Sequence, residues 1–392
     1  MDEITFSIFN HSPAASAQMA KLLKEFEREE QIHVRLEVIP WSMGWQKLVE
    51  MGLYKIGADI SEIGSTWTMD FVRMDALRAF SQDEADEITG GRWYFDSTWT
   101  GGVSPDPKAP AIWAIPLAGD ARTVFYRRDW LEKAGLDEGL AFKGPSRFDY
   151  SLAAIQAAGC ATPLSLPIGR SRNNLHALAC WIWGLGGDFL SADGTRVEFD
   201  HERALNGFKA YFGLGRYLGT ERSVGEEDAD RAFMQGRSAV TVSGYWVLHG
   251  EKAPEVAANL GMAAVPGTPF VGGEHLVVWR HSRRPEQALK LAKFLARPES
   301  GPSLYPLFGL PVALDGWNEA PFNTPNYQLF RDAMQNGRCF PSGQLWGLVE
   351  KRLSEALAEI WTEVLARPDR TEIIVENQLG ALAKRLQSTL RG

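Results

Sequence analysis

Cysteine is scarce. The 392 residues hold three, Cys160, Cys180 and Cys339. They form no CxxC pair and no zinc-ligand spacing, which excludes a metal-finger or thioredoxin-type site built on thiols. They read as small buried hydrophobes, with one disulfide open and its pairing not settled. Long apolar runs are missing too. None approaches the 18 residues of a membrane-spanning helix. A secretory leader is also not visible, because Met1 is followed at once by Asp2, Glu3 and an apolar strand, Ile4 to Phe9. Either a leader has been removed ahead of Met1 or the chain stays in the cytoplasm.

Catalytic motifs are likewise lacking. The seven histidines, at 11, 33, 176, 201, 249, 275 and 281, form no HExxH or other ligand spacing. Ser65, Ser171, Ser238 and Ser243 have the wrong neighbours for a nucleophile elbow. There is no phosphate-cradling loop. Gly184-Leu185-Gly186-Gly187 departs from GxGxxG and follows an aromatic, helix-like segment, so it reads as a helix end and turn. The 49 acidic residues leave a glycosidase carboxylate pair open, but no motif supports one. The net charge is -8, and the longest acidic cluster, Glu226 to Asp230, is short. No basic face for nucleic acid exists, and long-range steering opposes a strongly anionic ligand.

What the chain does have is aromatic surface: 14 Trp, nine Tyr and 20 Phe. Tryptophan offers a flat apolar face with a polar N–H at one edge. The C–H faces of sugars stack on such rings. Hydrophobic residues at 45% and charged residues at 23% are ordinary for a globular protein. The length suits two or three compact units.

Along the chain, strands and helices alternate. Ile4–Phe9 is β-prone. Met19, Leu22, Leu23 and Phe26 then recur at i, i+3, i+4, i+7, one helix face. Val34 to Ile39 alternates as a second strand. A helix around Gly44 to Tyr54 and a strand at Asp59 to Ile63 follow. This alternation predicts a parallel α/β sheet, with ligands at loops beyond the carboxyl ends of its strands. The first such loop is Asn10-His11-Ser12 and the next is Glu62 to Trp67. Gly/Pro-rich joints at Gly101–Pro110 and Pro266–Pro269 punctuate the chain, and α/β elements resume after each. Helical faces are expected at Ser151–Ala158, Ala204–Tyr217, Ala288–Leu295 and Val349–Val364, and strands at Ser238–Val242 and Leu276–Trp279.

Six stretches, in order, carry a resemblance. They are Gly57-Ala58-Asp59-Ile60 with Gly64-Ser65-Thr66-Trp67; Ile112-Trp113-Ala114-Ile115-Pro116; and Asp120-Ala121-Arg122-Thr123-Val124-Phe125-Tyr126-Arg127-Arg128-Asp129-Trp130 with Lys133-Ala134-Gly135-Leu136. Then come Gly186-Gly187-Asp188-Phe189 with Asp193-Gly194; Phe233-Met234-Gln235-Gly236-Arg237-Ser238-Ala239-Val240 with Gly244-Tyr245-Trp246; and Pro266-Gly267 with Gly272-Gly273-Glu274. The chain thereby resembles the extracellular solute-binding protein family 1, carbohydrate receptors of the maltose-binding-protein type. Ala58 stands where that family usually has a nearby proline. The resemblance implies a periplasmic-binding-protein-like type II α/β fold: two lobes, a multi-strand hinge and a ligand cleft. Lobe one is expected at 1–117 and 263–311, lobe two at 118–262 and 312–392. It also implies a receptor that delivers a carbohydrate to the permease subunits of an ABC importer. Such a chain works outside the cytoplasm, as a monomer, with no cofactor and no catalysis.

Candidate ligand contacts follow from strand ends, aromatic faces and these motifs. Asn10, His11, Glu62, Thr66 and Trp67 lie in the first loops, with Trp41 and Trp45 beyond the second strand. Asp120 and Arg122 stand at the first lobe crossing, as sugar ligands or as a hinge salt bridge. Asn173, Asn174 and His176 precede two aromatic candidates, Trp181 and Trp183. Gly244, Tyr245 and Trp246 follow a strand. Gly273 and Glu274 bring backbone amides and a carboxylate. Arg338 and Trp346 complete the set. Other readings are a polyamine or glycerol-phosphate ligand, a glycosidase, and a sensor domain of the same fold. For a phosphate, only Arg122 and Arg170-Arg172 offer themselves.

Overall fold

The computed structural model describes residues 2–104, 110–219, 225–341 and 346–390. Its ten described strands are β1 (Asp2–Phe9), β2 (Ile32–Ile39), β3 (Ile60–Gly64), β4 (Leu77–Arg78), β5 (Ile115–Ala121), β6 (Thr123–Arg127), β7 (Leu164–Ser165), β8 (Val240–Ser243), β9 (Leu260–Ala264) and β10 (Val271–Trp279). Two compact units form. The first is Met1–Asp120, Val271–Gln335 and Ser342–Gly347; the second is Ala121–Phe270, Asn336–Pro341 and Leu348–Gly392.

The boundaries differ from the expected 117, 262 and 311. Residues 312–335 belong to the first unit, because local bonds hold them there. The Phe95 N–H donates to the Val312 carbonyl, Ser97 Oγ donates to the Met334 carbonyl, and Arg92 pairs with Asp315. The Gly101–Pro110 joint is not a boundary either. Val103 bridges to Ile112 inside the first unit, while residues 105–109 lie outside the described residues.

In the first unit the sheet order is β2-β1-β3-β10-β4, with β5 also paired to β10. β1 runs parallel to both β2 and β3. Ser12 caps the helix Pro13–Glu30 by accepting the Ala15 N–H at 3.0 Å, and Pro13 is pre-set for the first turn. Met19, Leu22, Leu23 and Phe26 are its buried stripe. The next helix, Trp41–Tyr54, begins directly after Pro40, three residues before the expected start. The expected all-parallel sheet is a mixed one, since β10 is antiparallel to β3 and β4. β10 arrives from the second unit without the helical crossover that forces parallel pairing. Its register sets Glu274 opposite Gly64. Gly273 has φ +126°, and a Cβ there would run into the Ala118 carbonyl oxygen. Only glycine suits that backbone and that close pass.

The second unit carries the sheet β7-β8-β6-β9. Around it lie the helices Asn174–Gly184, Glu202–Gly213, Glu226–Met234 and Trp346–Ala366, the last entering the unit at Leu348. Its core is aromatic: Trp181, Tyr211, Phe212 and Trp361 are each at most 2% exposed. Cys160, Cys180 and Cys339 are free thiols. No helix among the described residues is long and apolar enough to cross a membrane.

Candidate functional site

The first unit's polar and aromatic cluster sits at strand ends. The neighbours β2, β1 and β3 finish side by side and release Pro40–Trp41, Asn10–His11 and the turn Ser65–Trp67. Phe9, the last residue of β1, stacks on Trp41 with centroids 4.0 Å apart and 28° between planes. Trp67 meets Trp41 at 6.2 Å and Trp45 at 5.6 Å, both near edge-on. His11 lies against Trp41 and Phe308.

Glu62 is the polar centre of this wall. Its side chain is fully buried, which is costly for a carboxylate unless it is paired. His11 Nε2–H donates to Oε1 at 2.6 Å, and the Phe9 N–H donates to Oε2 at 2.9 Å. Glu274, half-buried, joins from β10. One donor atom each from His11, Glu62 and Glu274 fall within 4.8 Å of one another. One nitrogen and two carboxylate oxygens could hold a divalent cation if the nitrogen gives up its proton; the carboxylate oxygens also accept hydroxyl hydrogen bonds. Nearby His275 is a structural residue, held by Thr68 Oγ1 at 2.9 Å and the Thr98 carbonyl at 3.1 Å. Burial holds its imidazole down to about 4.

The second unit's cluster is built on Arg122, 2% exposed. Its Nη2 donates to His176 Nδ1 at 2.8 Å and pairs with Glu226 Oε1 at 2.9 Å. Its guanidinium carbon stands 4.9 Å from the Trp246 ring centre. Asp230 Oδ2 accepts the Trp246 Nε1–H at 2.7 Å and fixes the indole. Asn173 Nδ2 donates to Glu226 Oε2. His176 lies flat on Phe270, 4.0 Å away and 9° from parallel, with Phe340 beside it. Burial, and then the Arg122 charge, hold this imidazole well below its usual value. On the same aromatic group, Trp183 donates Nε1–H to Asp188 and is overlain by Arg338, which pairs with Asp188 at 2.7 Å. Arg172 pairs with the buried Glu350 at 3.0 Å. The Thr123 and Ser243 hydroxyls, opposite each other across β6 and β8, are buried without a hydrogen-bond partner among the described residues.

The sequence-predicted residues therefore divide. His11, Trp41, Trp45, Glu62, Trp67 and Glu274 come together in the first unit. Arg122, Trp183, Tyr245 and Trp246 belong to the second unit's clusters, with Tyr245 edge-on to Trp246. Asn10 is exposed, its N–H on the Ile39 carbonyl. Thr66 is half-buried in the turn before Trp67. Asp120 is buried at the end of the first unit, and Arg122 pairs with Glu226. Asn174 is buried and donates to the Gly169 carbonyl. Gly244 is extended backbone at a turn start.

Four other candidates have these surroundings. Trp181 is fully buried between Phe148 and Tyr211. Gly273 acts through its backbone conformation. Arg338 is spent on Asp188 and the Trp183 face. Trp346 is 2% exposed at the start of its helix. Sequence reasoning missed Phe9, Glu226, Asp230, Phe270 and Phe340. One signal existed: Glu226 and Asp230 are four apart in a helix, so they share a face.

Two α/β units joined by several chain crossings, with aromatic rings and buried polar groups at strand ends, define a two-unit solute receptor. Residues 10–302 match the family model of the bacterial extracellular solute-binding proteins. The chain belongs to that family, whose members work outside the cytoplasm. It is similar to the multiple sugar-binding protein of Streptococcus mutans, 21% identical over 370 residues, 88% of this chain and 83% of that one. A binding protein of Brucella abortus is 25% identical over 306 residues, 75% and 72% of the two chains. Among solved structures, an ABC transporter solute-binding protein of Thermotoga lettingae bound with α-D-tagatose has a TM-score of 0.83 at 20% identity, covering 100% of both chains. A maltose-bound protein of T. maritima has a TM-score of 0.80 at 19% identity, over 99% of this chain and 100% of that one. These likenesses give the fold.

Proposed function

We propose that this protein is the carbohydrate receptor of an ABC importer, capturing a mono- or oligosaccharide and handing it, chemically unchanged, to the permease. One observation carries the reading: the wall of Phe9, Trp41 and Trp67 stands beside the carboxylates of Glu62 and Glu274. Pockets for neutral polyols combine flat apolar walls with a few fixed polar groups. Ring faces take the C–H side of a pyranose, and carboxylates accept its hydroxyls. The sugar-binding relative of S. mutans and the tagatose- and maltose-bound proteins support the same ligand class.

Catalysis is not part of the reading. A glycosidase needs two carboxyl groups free to give and take protons across a bond. Both Glu62 oxygens are occupied, one by His11 and one by the Phe9 N–H. Phosphate ligands fit poorly, since Glu226 already neutralises Arg122. An ammonium-bearing ligand such as a polyamine is a second reading, favoured by the two carboxylates that face one imidazole in the first unit. The reading includes an extracytoplasmic setting, which the family supports, and a monomer that meets the permease.

A thermal-shift screen against mono- and oligosaccharides, polyamines and glycerol phosphates tests the proposal. A ligand at 100 times its Kd stabilises a protein by about 2.7 kcal/mol. A sugar that raises Tm and is recovered intact by NMR supports it. Stabilisation by amines alone moves the ligand class, and cleavage of the sugar overturns the non-catalytic reading.

A further inference from the structure

The sequence places His176 just before Trp181 and Trp183 and assigns it no role of its own. It is 8% exposed, and its Nε2 is buried with no hydrogen-bond partner among the described residues. A buried donor left unmade costs about 1–3 kcal/mol. Such orphans are rare in folded proteins and concentrate at functional positions. The ring's state is settled by its neighbours. A guanidinium has hydrogens and no acceptor, so Arg122 Nη2, 2.8 Å from Nδ1, must donate to it. Nδ1 therefore carries a lone pair, and the single ring proton of the neutral imidazole sits on Nε2. The ring cannot turn freely, because it lies on Phe270 at 4.0 Å with Phe340 alongside. Arg122 itself is held by Glu226 and covers the Trp246 ring, which is only half-buried.

We propose that His176 is a specificity-determining residue of the second unit, a hydrogen-bond donor of fixed tautomer whose Nε2–H reads an acceptor oxygen of the bound carbohydrate. This rests on the carbohydrate reading above. Arg122 is the positioning residue: it sets which nitrogen carries the proton and joins the imidazole to the Trp246 wall. The partner oxygen is a ring, glycosidic, carbonyl or hydroxyl oxygen that accepts, so a sugar lacking that oxygen is discriminated against.

The test uses the full chain labelled with 15N-histidine, with maltose, N,N′-diacetylchitobiose and D-tagatose as probes. Long-range 1H–15N spectra of the sugar-free protein are expected to show one neutral Nε2–H ring that is absent from H176F. Its Nε2–H resonance is expected to shift on adding the probe that raises Tm. Phenylalanine preserves the stack on Phe270 but has no ring nitrogen, so His176→Phe should weaken that probe about 10- to 50-fold, and it should also lower the Tm of the sugar-free protein because the buried Arg122 loses its acceptor. His176→Gln places an amide N–H near the same position and should bring affinity back to within about threefold. An Nδ1–H tautomer, an unmoved Nε2–H signal, or equal affinity of H176F and the wild type overturns the proposal while leaving the carbohydrate reading intact. No stabilisation of the wild type by any sugar removes both.

Discussion

The polar clusters of the two units have opposite chemistry. In the first, the polar groups are acceptors: Glu62 and Glu274 sit among indole rings, and the His11 imidazole donates a hydrogen bond to Glu62. In the second, the central group is a cation. Arg122 is stacked on Trp246, neutralised by Glu226 and coupled to a neutral histidine. The first arrangement comes from three adjacent strand ends and is local. The second is assembled from helices and strands far apart in sequence.

The contrast is open to attack, starting where the expected effect is largest. Glu226→Ala removes a counter-charge from the buried Arg122 guanidinium, and urea unfolding should show a loss of about 3–5 kcal/mol. Gly273→Ala forces a side chain against the Ala118 carbonyl at positive φ. It should cost about 3 kcal/mol in the same assay and disturb Glu274, the acceptor side.

Acid should strain both units through buried neutral histidines. The unfolded chain protonates His275 near 6.5, whereas the folded chain resists until about 4. Stability is therefore complete above about pH 6.5 and falls as pH drops toward 4, by about 3 kcal/mol in all. His275→Gln should flatten that part of a Tm-versus-pH curve.

Smaller effects separate ligand contacts from supports. Trp41→Ala and Trp67→Ala should raise the Kd of a bound sugar by about 10- to 100-fold in calorimetry. Arg338→Ala removes an exposed pair with Asp188 and should change stability by less than about 1 kcal/mol.

The sequence exposed the first unit's cluster more fully than the second's, for a physical reason. A polar or aromatic loop that directly follows a strand announces itself, as Asn10–His11 and Glu62–Trp67 do. Trp41 needed only the rule that the chain emerges at a carboxyl end. In the second unit, Arg122 is visible in a motif, but its partners Glu226 and His176 are set by tertiary packing that no local pattern encodes. Trp181 and Trp183 show the limit clearly. Both lie on the helix Asn174–Gly184, yet one turns into the core against Tyr211 and the other onto Phe340. Hydrophobic periodicity cannot rank two tryptophans on a helix that is buried nearly all round. The α/β alternation located the strands, while the antiparallel β10 was hidden because strand direction depends on the path of the chain between units.

The grouping of Trp41, Trp45 and Trp67 has an optical consequence. Indoles with centroids 5.6 and 6.2 Å apart couple their electronic transitions, so this corner of the molecule should dominate the near-ultraviolet circular dichroism. A solute that slides over one ring changes the polarity felt by its neighbours and shifts their emission. Tryptophan emission, read without a label in a single cuvette, is therefore a direct test of whether a solute settles on this corner.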